Sequence, residues 1–234
     1  MTPSTYETIR YEVDADARVA TVTLDRPEAL NAFDRRMCEE IREAWHVIKA
    51  DDTVNAVVVR AAGDRAFSAG LDTKQSFGQP DLVWNHLDPG EYLSPKWQKL
   101  WKPVVCAVHG MCTAGAFYFL NEADVVICSD DATFFDSHVT YGFVSAIEPI
   151  GLMRRIGLGD TLRMALTGNA ERVSAETALR LGLSPRWWRG TSSGRTRTTW
   201  PGSSRRTRRS RPRARCAPSG SPSTSRTAPR WSRA

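Results

Sequence analysis

Two stretches of this chain combine small residues with the freedom needed to bring main-chain N–H groups close to a ligand. They are AFSAGLD at Ala66 to Asp72 and HGMCTAGA at His109 to Ala116. Gly70 and Gly115 permit close backbone approach. Gly115 also stands at the start of a predicted helix, where unpaired amides and the helix dipole favour developing negative charge. The chemistry that follows is stabilisation of an anion that forms during reaction. The thiols point elsewhere. Cys38, Cys106, Cys112, Cys128 and Cys216 form an odd set with no CxxC pair and no His cluster nearby. This argues against a disulfide framework or a metal site and for reduced, mostly buried thiols.

Each loop follows a short apolar run that can position it. NAVVVR (Asn55 to Arg60), PVVCAV (Pro103 to Val108) and ADVVIC (Ala123 to Cys128) read as strands buried on both faces. Tyr6 to Val13 and Val19 to Leu24, either side of Asp14-Ala-Asp-Ala, predict an opening β-hairpin. Met37, Ile41, Trp45 and Ile48 recur at helical spacing. Further helices are expected to end over Lys96 to Trp101 and to span Ala114 to Asn121, Gly159 to Thr167 and Ser174 to Arg180. Strands alternating with helices predict an α/β fold with a mostly parallel sheet and crossover helices.

The charge is split along the chain. All 26 acidic residues and 18 of the 32 basic ones lie in residues 1–183, giving that body a net charge of −8; residues 184–234 carry 14 Arg and no Lys, Asp or Glu. That tail is rich in Arg, Ser, Thr, Pro and Gly, without hydrophobic periodicity. Two readings compete for it: a disordered basic arm that binds nucleic acid or acidic surfaces, and out-of-frame translation of GC-rich DNA. The genetic code separates them. Joining the last base of each codon to the first two of the next turns Trp187-Trp188 into Val. The wider stretch becomes approximately Leu-Gly-Leu-Val-x-Glu-Val-Val-Ala-x-x-Glu-Leu, a strand and a helix start that continue the body. We therefore expect a frameshift, a one-base loss just after Leu183, with no fold in residues 184–234 and no nucleic-acid partner. The start, MTPSTYETIRYEVD, lacks a basic segment followed by an apolar one, and no apolar run nears the roughly 20 residues of a membrane span. A cytoplasmic protein with no membrane partner is expected.

Five motifs in order carry a more specific resemblance: RPEALNAF at Arg26 to Phe33, AFSAGLD at Ala66 to Asp72, KPVVCAVHG followed by AGA at Lys102 to Ala116, EADVVICS at Glu122 to Ser129, and ERVSAETALRLGL at Glu171 to Leu183. Residues 1–183 resemble the crotonase superfamily, the enoyl-CoA hydratase/isomerase type. The resemblance implies a superhelix of ββα units with short, mostly parallel sheets. It also implies an acyl-CoA thioester as substrate, with coenzyme A entering as part of it and no separate cofactor, and a homotrimer or hexamer.

By motif position, the resemblance puts the two oxyanion-binding amides at Leu71 and Gly115. It lays the CoA moiety along Ala29, Ala69, Leu71, Asp72, Thr73 and Lys74. Where typical hydratases hold two glutamates, this chain has Tyr118 and His138. Asp136 could orient His138 or act as the base, and Glu148 is the remaining nearby carboxylate. Tyr118 could equally be a core aromatic, Lys74 a solvated side chain and Glu148 a solvated or helix-capping residue. Phe77, Trp84, Tyr92, Trp97 and Trp101 lie where the acyl pocket would be walled, with core packing as the other reading. Simple hydration, a one-base isomerisation, hydrolysis or carbon–carbon cleavage, and non-catalytic acyl-CoA binding all remain open at this level.

Overall fold

A computed structural model describes residues 6–74 and 88–188. The chain divides into two units, Met1–Arg195 and Thr196–Ala234, and the second lies outside the described residues. The first opens with the expected hairpin, β1 (Ile9–Asp14) antiparallel to β2 (Val19–Leu24). Its turn is closed by the Ala17 amide donating to Asp14 Oδ1 at 2.8 Å. Helix α1 (Arg35–Ala50) starts where the Asp34 side chain accepts the Met37 amide at 2.8 Å, a side-chain N-cap. It buries Met37, Ile41, Trp45 and Ile48 on one face.

The chain then alternates between two sheets. β3 (Ala56–Ala61) belongs to the first and β4 (Ala66–Ser68) to the second. After the short α2 (Gly90–Leu93) come β5 (Val104–Val108), β6 (Met111–Thr113) and α3 (Phe117–Glu122). β7 (Val125–Ser129) and β8 (Thr133–Phe135) lead to α4 (Ile147–Ile156) and α5 (Leu158–Thr167). β9 (Val173–Ser174), α6 (Ala175–Leu181) and β10 (Arg186–Trp188) complete the described part. The larger sheet has the order β1-β2-β3-β5-β7-β10, parallel from β2 onward. The smaller, β4-β6-β8-β9, is parallel except for its last pair. A long strand in one sheet and a short one in the other, followed by a helix, is the ββα repeat expected above. The core fills the space beneath with Trp45, Phe67, Phe117, Phe119 and Phe134; Phe67 and Phe119 meet edge to face at 5.9 Å.

Three expectations need correction, and one helix was not expected. The two small-residue loops contain strands β4 and β6, whose three residues each are too few to show an alternating pattern. Lys96 to Trp101 forms turns rather than a helix end, and Lys99 takes a positive φ of 58°. Helix α4 was not foreseen, because Pro149 sits within it. Pro149 is the third helical residue, in the first turn, where no intrahelical donor is lost. Finally, order does not stop at Leu183. Ser184 is buried, its Oγ donates to the Val126 carbonyl at 3.2 Å, and the backbone of residues 186–188 pairs with β7.

Candidate active site

The short sheet brings the two small-residue segments together. β4 and β6 run parallel, Ala66 opposite Met111 and Ser68 opposite Cys112, so both leave the sheet at the same edge. Gly70 turns there at φ 85°. A Cβ on it would lie 3.1 Å from the Gly115 amide nitrogen and 3.2 Å from the Thr113 carbonyl oxygen. Leu71 then forms a single parallel bridge with Phe33. The Phe33 amide donates to the Gly70 carbonyl and the Asp72 amide to the Phe33 carbonyl, both at 2.9 Å. In a parallel ladder that pattern turns the bridge residue's own N–H away from its partner strand, so the Leu71 amide is left on the opposite edge.

Beyond β6, Ala114 adopts φ 51°, a left-handed conformation uncommon for a residue with a Cβ. That bend starts a 3₁₀ turn over Ala114–Ala116 and sets the direction of the Gly115 amide. Gly115 is buried, and a Cβ on it would sit 2.5 Å from Phe33 Cζ and 3.4 Å from Tyr118 Cε2. Phe33 therefore braces both halves: its backbone holds Leu71 and its ring underlies Gly115.

Tyr118 links these amides to a group of ionisable side chains. Its hydroxyl lies near the carboxyl groups of Glu148 and Asp88. Glu148 Oε1 lies 3.5 Å from His138 Nε2, and His138 Nδ1 lies 2.5 Å from Asp136 Oδ1. Asp136 also accepts the His138 amide at 3.1 Å and the Ser145 hydroxyl at 2.5 Å. Tyr118, Asp136 and Glu148 are buried and His138 is partly exposed.

The electrostatics follow from these contacts. Burial, then the charges of Glu148 and Asp88, push the Tyr118 hydroxyl up, so it stays neutral. Burial also raises the Glu148 carboxyl, against the opposing pull of its own amide, His138 and Tyr118. The hydrogen bond to Asp136 raises His138 above its ordinary value despite burial, and the nearby Glu148 charge adds to it. Burial alone would raise Asp136, yet the hydrogen bonds from His138 and Ser145 hold it below the usual carboxylate range. With Nδ1 tied to Asp136, His138 offers Nε2 as the atom that takes or gives a proton. Glu148 beside it is a carboxyl biased toward its acid form. The site thus pairs a base with an acid next to two candidate oxyanion donors.

The loops assigned to the coenzyme adjoin one another. The Ala69 amide donates to the Leu30 carbonyl at 3.0 Å, next to Ala29, and Leu71, Thr73 and Lys74 are exposed. Asp72 instead points inward. Its Oδ2 lies 3.1 Å from Arg26, which also pairs with Asp34 at 3.3 Å and donates to the Ala32 carbonyl. The aromatic stretch is corrected. Trp97 and Trp101 are 48% and 75% exposed, so they do not fill the core; Lys96 lies over Trp101. Tyr92 packs against the core beneath Arg42. Phe77 and Trp84 lie outside the described residues. Sequence reasoning missed Asp88, Ser145, Arg26 and Phe33. Nothing local marked Asp88 or Ser145 as belonging to this group.

Comparison with known proteins places this geometry among relatives. Residues 14–186 match the family model described as enoyl-CoA hydratase/isomerase. The (E)-benzylidenesuccinyl-CoA hydratase of Thauera aromatica is 31% identical over 173 residues, covering 73% of this chain and 66% of that protein. The mitochondrial Delta(3,5)-Delta(2,4)-dienoyl-CoA isomerase of Mus musculus is 30% identical over 194 residues, covering 76% and 58%. The chain thus spans less than two thirds of the length of these two relatives. A crystal structure of an enoyl-CoA hydratase/isomerase from Mycobacterium paratuberculosis superposes with a TM-score of 0.72 at 38% identity, covering 79% of this chain and 71% of that one.

Proposed function

The chain belongs to the enoyl-CoA hydratase/isomerase family, and from that premise we propose that it binds an acyl-CoA and stabilises the enolate of its thioester. The amides of Leu71 and Gly115 receive the thioester oxygen. Donors fixed in advance stabilise the charge that gathers there without reorganising, and one such donor typically contributes about 3–4 kcal/mol to the barrier. His138, oriented by Asp136, moves the proton at the carbon next to the thioester or activates water. Glu148 supplies or receives the second proton, with Tyr118 between it and the amides. Ala29, Ala69 and Leu71 to Lys74 line the path of the coenzyme, which enters with the substrate.

One observation carries this reading: the Tyr118 ring lies against Gly115 with its hydroxyl near Glu148, which stands 3.5 Å from His138 Nε2, so oxyanion donors and acid/base groups adjoin. A Tyr and a His stand where hydratases of the family carry glutamates, which favours a reaction needing one base, double-bond isomerisation above all, as the second reading. Products from a panel of enoyl-CoA and β-oxoacyl-CoA esters separate hydration, isomerisation, hydrolysis and cleavage. CoA affinity by calorimetry, with every reaction rate unchanged in His138→Ala, Asp136→Ala and Glu148→Ala, would make the protein a binder only. Nucleic-acid binding by the Arg-rich tail would instead be steeply salt-dependent and lost on removing residues 184–234.

Three further features belong to the same reading. The reading frame is broken just after Leu183. The codon arithmetic supports this, since it restores Val-Val at positions 187 and 188, in a stretch whose backbone pairs with β7 and where β-branched residues suit a strand. Sequencing the DNA around codon 183 tests it. A homotrimer or hexamer is expected once the frame is restored, supported by the exposed Ile150, Met153, Leu158, Leu162 and Leu166 on α4 and α5. The compartment is the cytoplasm; among the described residues no helix is long and apolar enough to cross a membrane.

A further inference from the structure

Glu148 is carried by α4, and the Gly115 amide by the 3₁₀ turn that runs directly into α3. The docking of α4 on α3 therefore fixes how far apart these two groups act. On α4 the contact face is Glu148, Gly151 and Arg155, spaced three and four residues apart and so stacked on one side of the helix. On α3 it is Asn121, one turn on from Tyr118.

Three contacts make the joint. Asn121 Nδ2 donates to the Glu148 carbonyl at 2.9 Å. One turn along α4, a Cβ on Gly151 would lie 2.5 Å from Asn121 Cγ and 2.7 Å from its Cβ, so the helix rests directly on the Asn121 side chain. One turn further, Arg155 donates to the Asn121 carbonyl at 3.2 Å and to the Ala123 carbonyl, at the end of α3 where helical carbonyls lack partners within the helix. The Arg155 bonds thus complete α3. The Asn121 bond has another purpose. A carbonyl in the first turn of α4 needs only one of its two lone pairs for the helix, and Asn121 takes the second. What that bond holds is the residue whose side chain faces the candidate base: Glu148 is 5% exposed, and its Oε1 lies 3.5 Å from His138 Nε2.

We infer that Asn121 is a positioning residue: it pins the backbone of Glu148 to α3 and so sets the approach of the Glu148 carboxyl to His138 and its distance from the Gly115 amide. Gly151 belongs to the same device, because any side chain there would push Asn121 off the carbonyl. The inference rests on the reading of Glu148 as the second proton-handling group of the proposed reaction and names what holds it in register.

The first test needs no turnover: the His138 titration midpoint, followed by NMR of the imidazole ring in the full chain. Glu148→Gln removes a neighbouring negative charge and should lower the midpoint by about half a pH unit or more. Asn121→Leu keeps the bulk of the side chain without its donor and should lower it by at least half as much, with no further fall when made in the Glu148→Gln background. Gly151→Ala leaves Asn121 chemically intact and should move the midpoint the same way, which keeps the test open if Asn121→Leu does not fold. Asp136, the other carboxylate on His138, is unaltered in every variant, so its share cancels. The second test is kinetic: Asn121→Leu should lower kcat roughly 10-fold at nearly unchanged acyl-CoA affinity, and this loss should disappear in the Glu148→Gln background. A midpoint unmoved by Glu148→Gln, or by both Asn121→Leu and Gly151→Ala, would overturn the inference. So would an Asn121→Leu effect on midpoint or kcat that is as large in the Glu148→Gln background. A protein inactive toward every acyl-CoA that still shows the midpoint shifts would count against the proposed reaction and leave the positioning role standing.

Discussion

The candidate site has two halves built by different means. The amide half, around Gly70, Leu71 and Gly115, is made of backbone: its donors are placed by strand ends, one Phe33 bridge and two glycines that tolerate no Cβ. The proton half, around Tyr118, Asp136, His138 and Glu148, is made of side chains drawn from α3, α4 and the segment between β8 and α4. A backbone donor is fixed by the fold and survives any exchange of side chain that leaves the chain path intact. A side-chain acid or base can be replaced one residue at a time. On the proposed reading, the same scaffold can therefore keep its oxyanion donors while the proton chemistry drifts.

This contrast predicts how the halves fail. The largest effect is expected for His138→Gln, which removes the proton-handling atom and should lower kcat by roughly 10²- to 10⁴-fold while leaving acyl-CoA affinity in place. It should also change the pH dependence of stability. His138 has a folded pKa above 6.5, so its contribution is complete below pH 6.5 and is lost as pH rises through the raised value. Denaturant titrations across that window should show a decline in the unmodified protein that the variant lacks. Gly115→Ala comes next. Its Cβ would meet the Phe33 ring and shift the amide, with an expected loss of about 10²- to 10³-fold in kcat. An unchanged rate in this variant would break the comparison, since the amide half would then have no part in catalysis.

Arg26→Met should sharpen it by disturbing the amide half through stability alone. The change strands the largely buried carboxylates of Asp34 and Asp72, at a cost of about 3 kcal/mol and a fall in Tm of roughly 6–12 °C. The smallest effect is expected for Ser145→Ala. Loss of its hydrogen bond to Asp136 weakens the hold on His138 by about 1 kcal/mol, which should lower the His138 titration midpoint by a fraction of a pH unit in an NMR titration.

The two halves were also unequally legible in the sequence. Gly70, Leu71 and Gly115 follow apolar runs that announce their strands, and small residues at a strand end are a local signal. The α1 face was readable from its periodic apolar residues. Tyr118 and His138 drew notice only through the family pattern, while Asp88 and Ser145 did not, because their partners lie across the fold. Asp88 reaches Tyr118 thirty positions away, and Ser145 is tied to Asp136 by a turn with no periodic signature. The core reading of Trp97 and Trp101 failed for a related reason: bulk and apolarity do not reveal which residues end up on a surface.

The claim on which the rest depends is that the Leu71 and Gly115 amides meet at one oxygen. A short enoyl-CoA labelled with ¹³C at its thioester carbonyl, bound at saturation by calorimetry, reports on that point through its C=O stretch. The account predicts a band at lower frequency than in free solution, moved back toward the solution value in Gly115→Ala. A saturated complex whose carbonyl band is unshifted would contradict it.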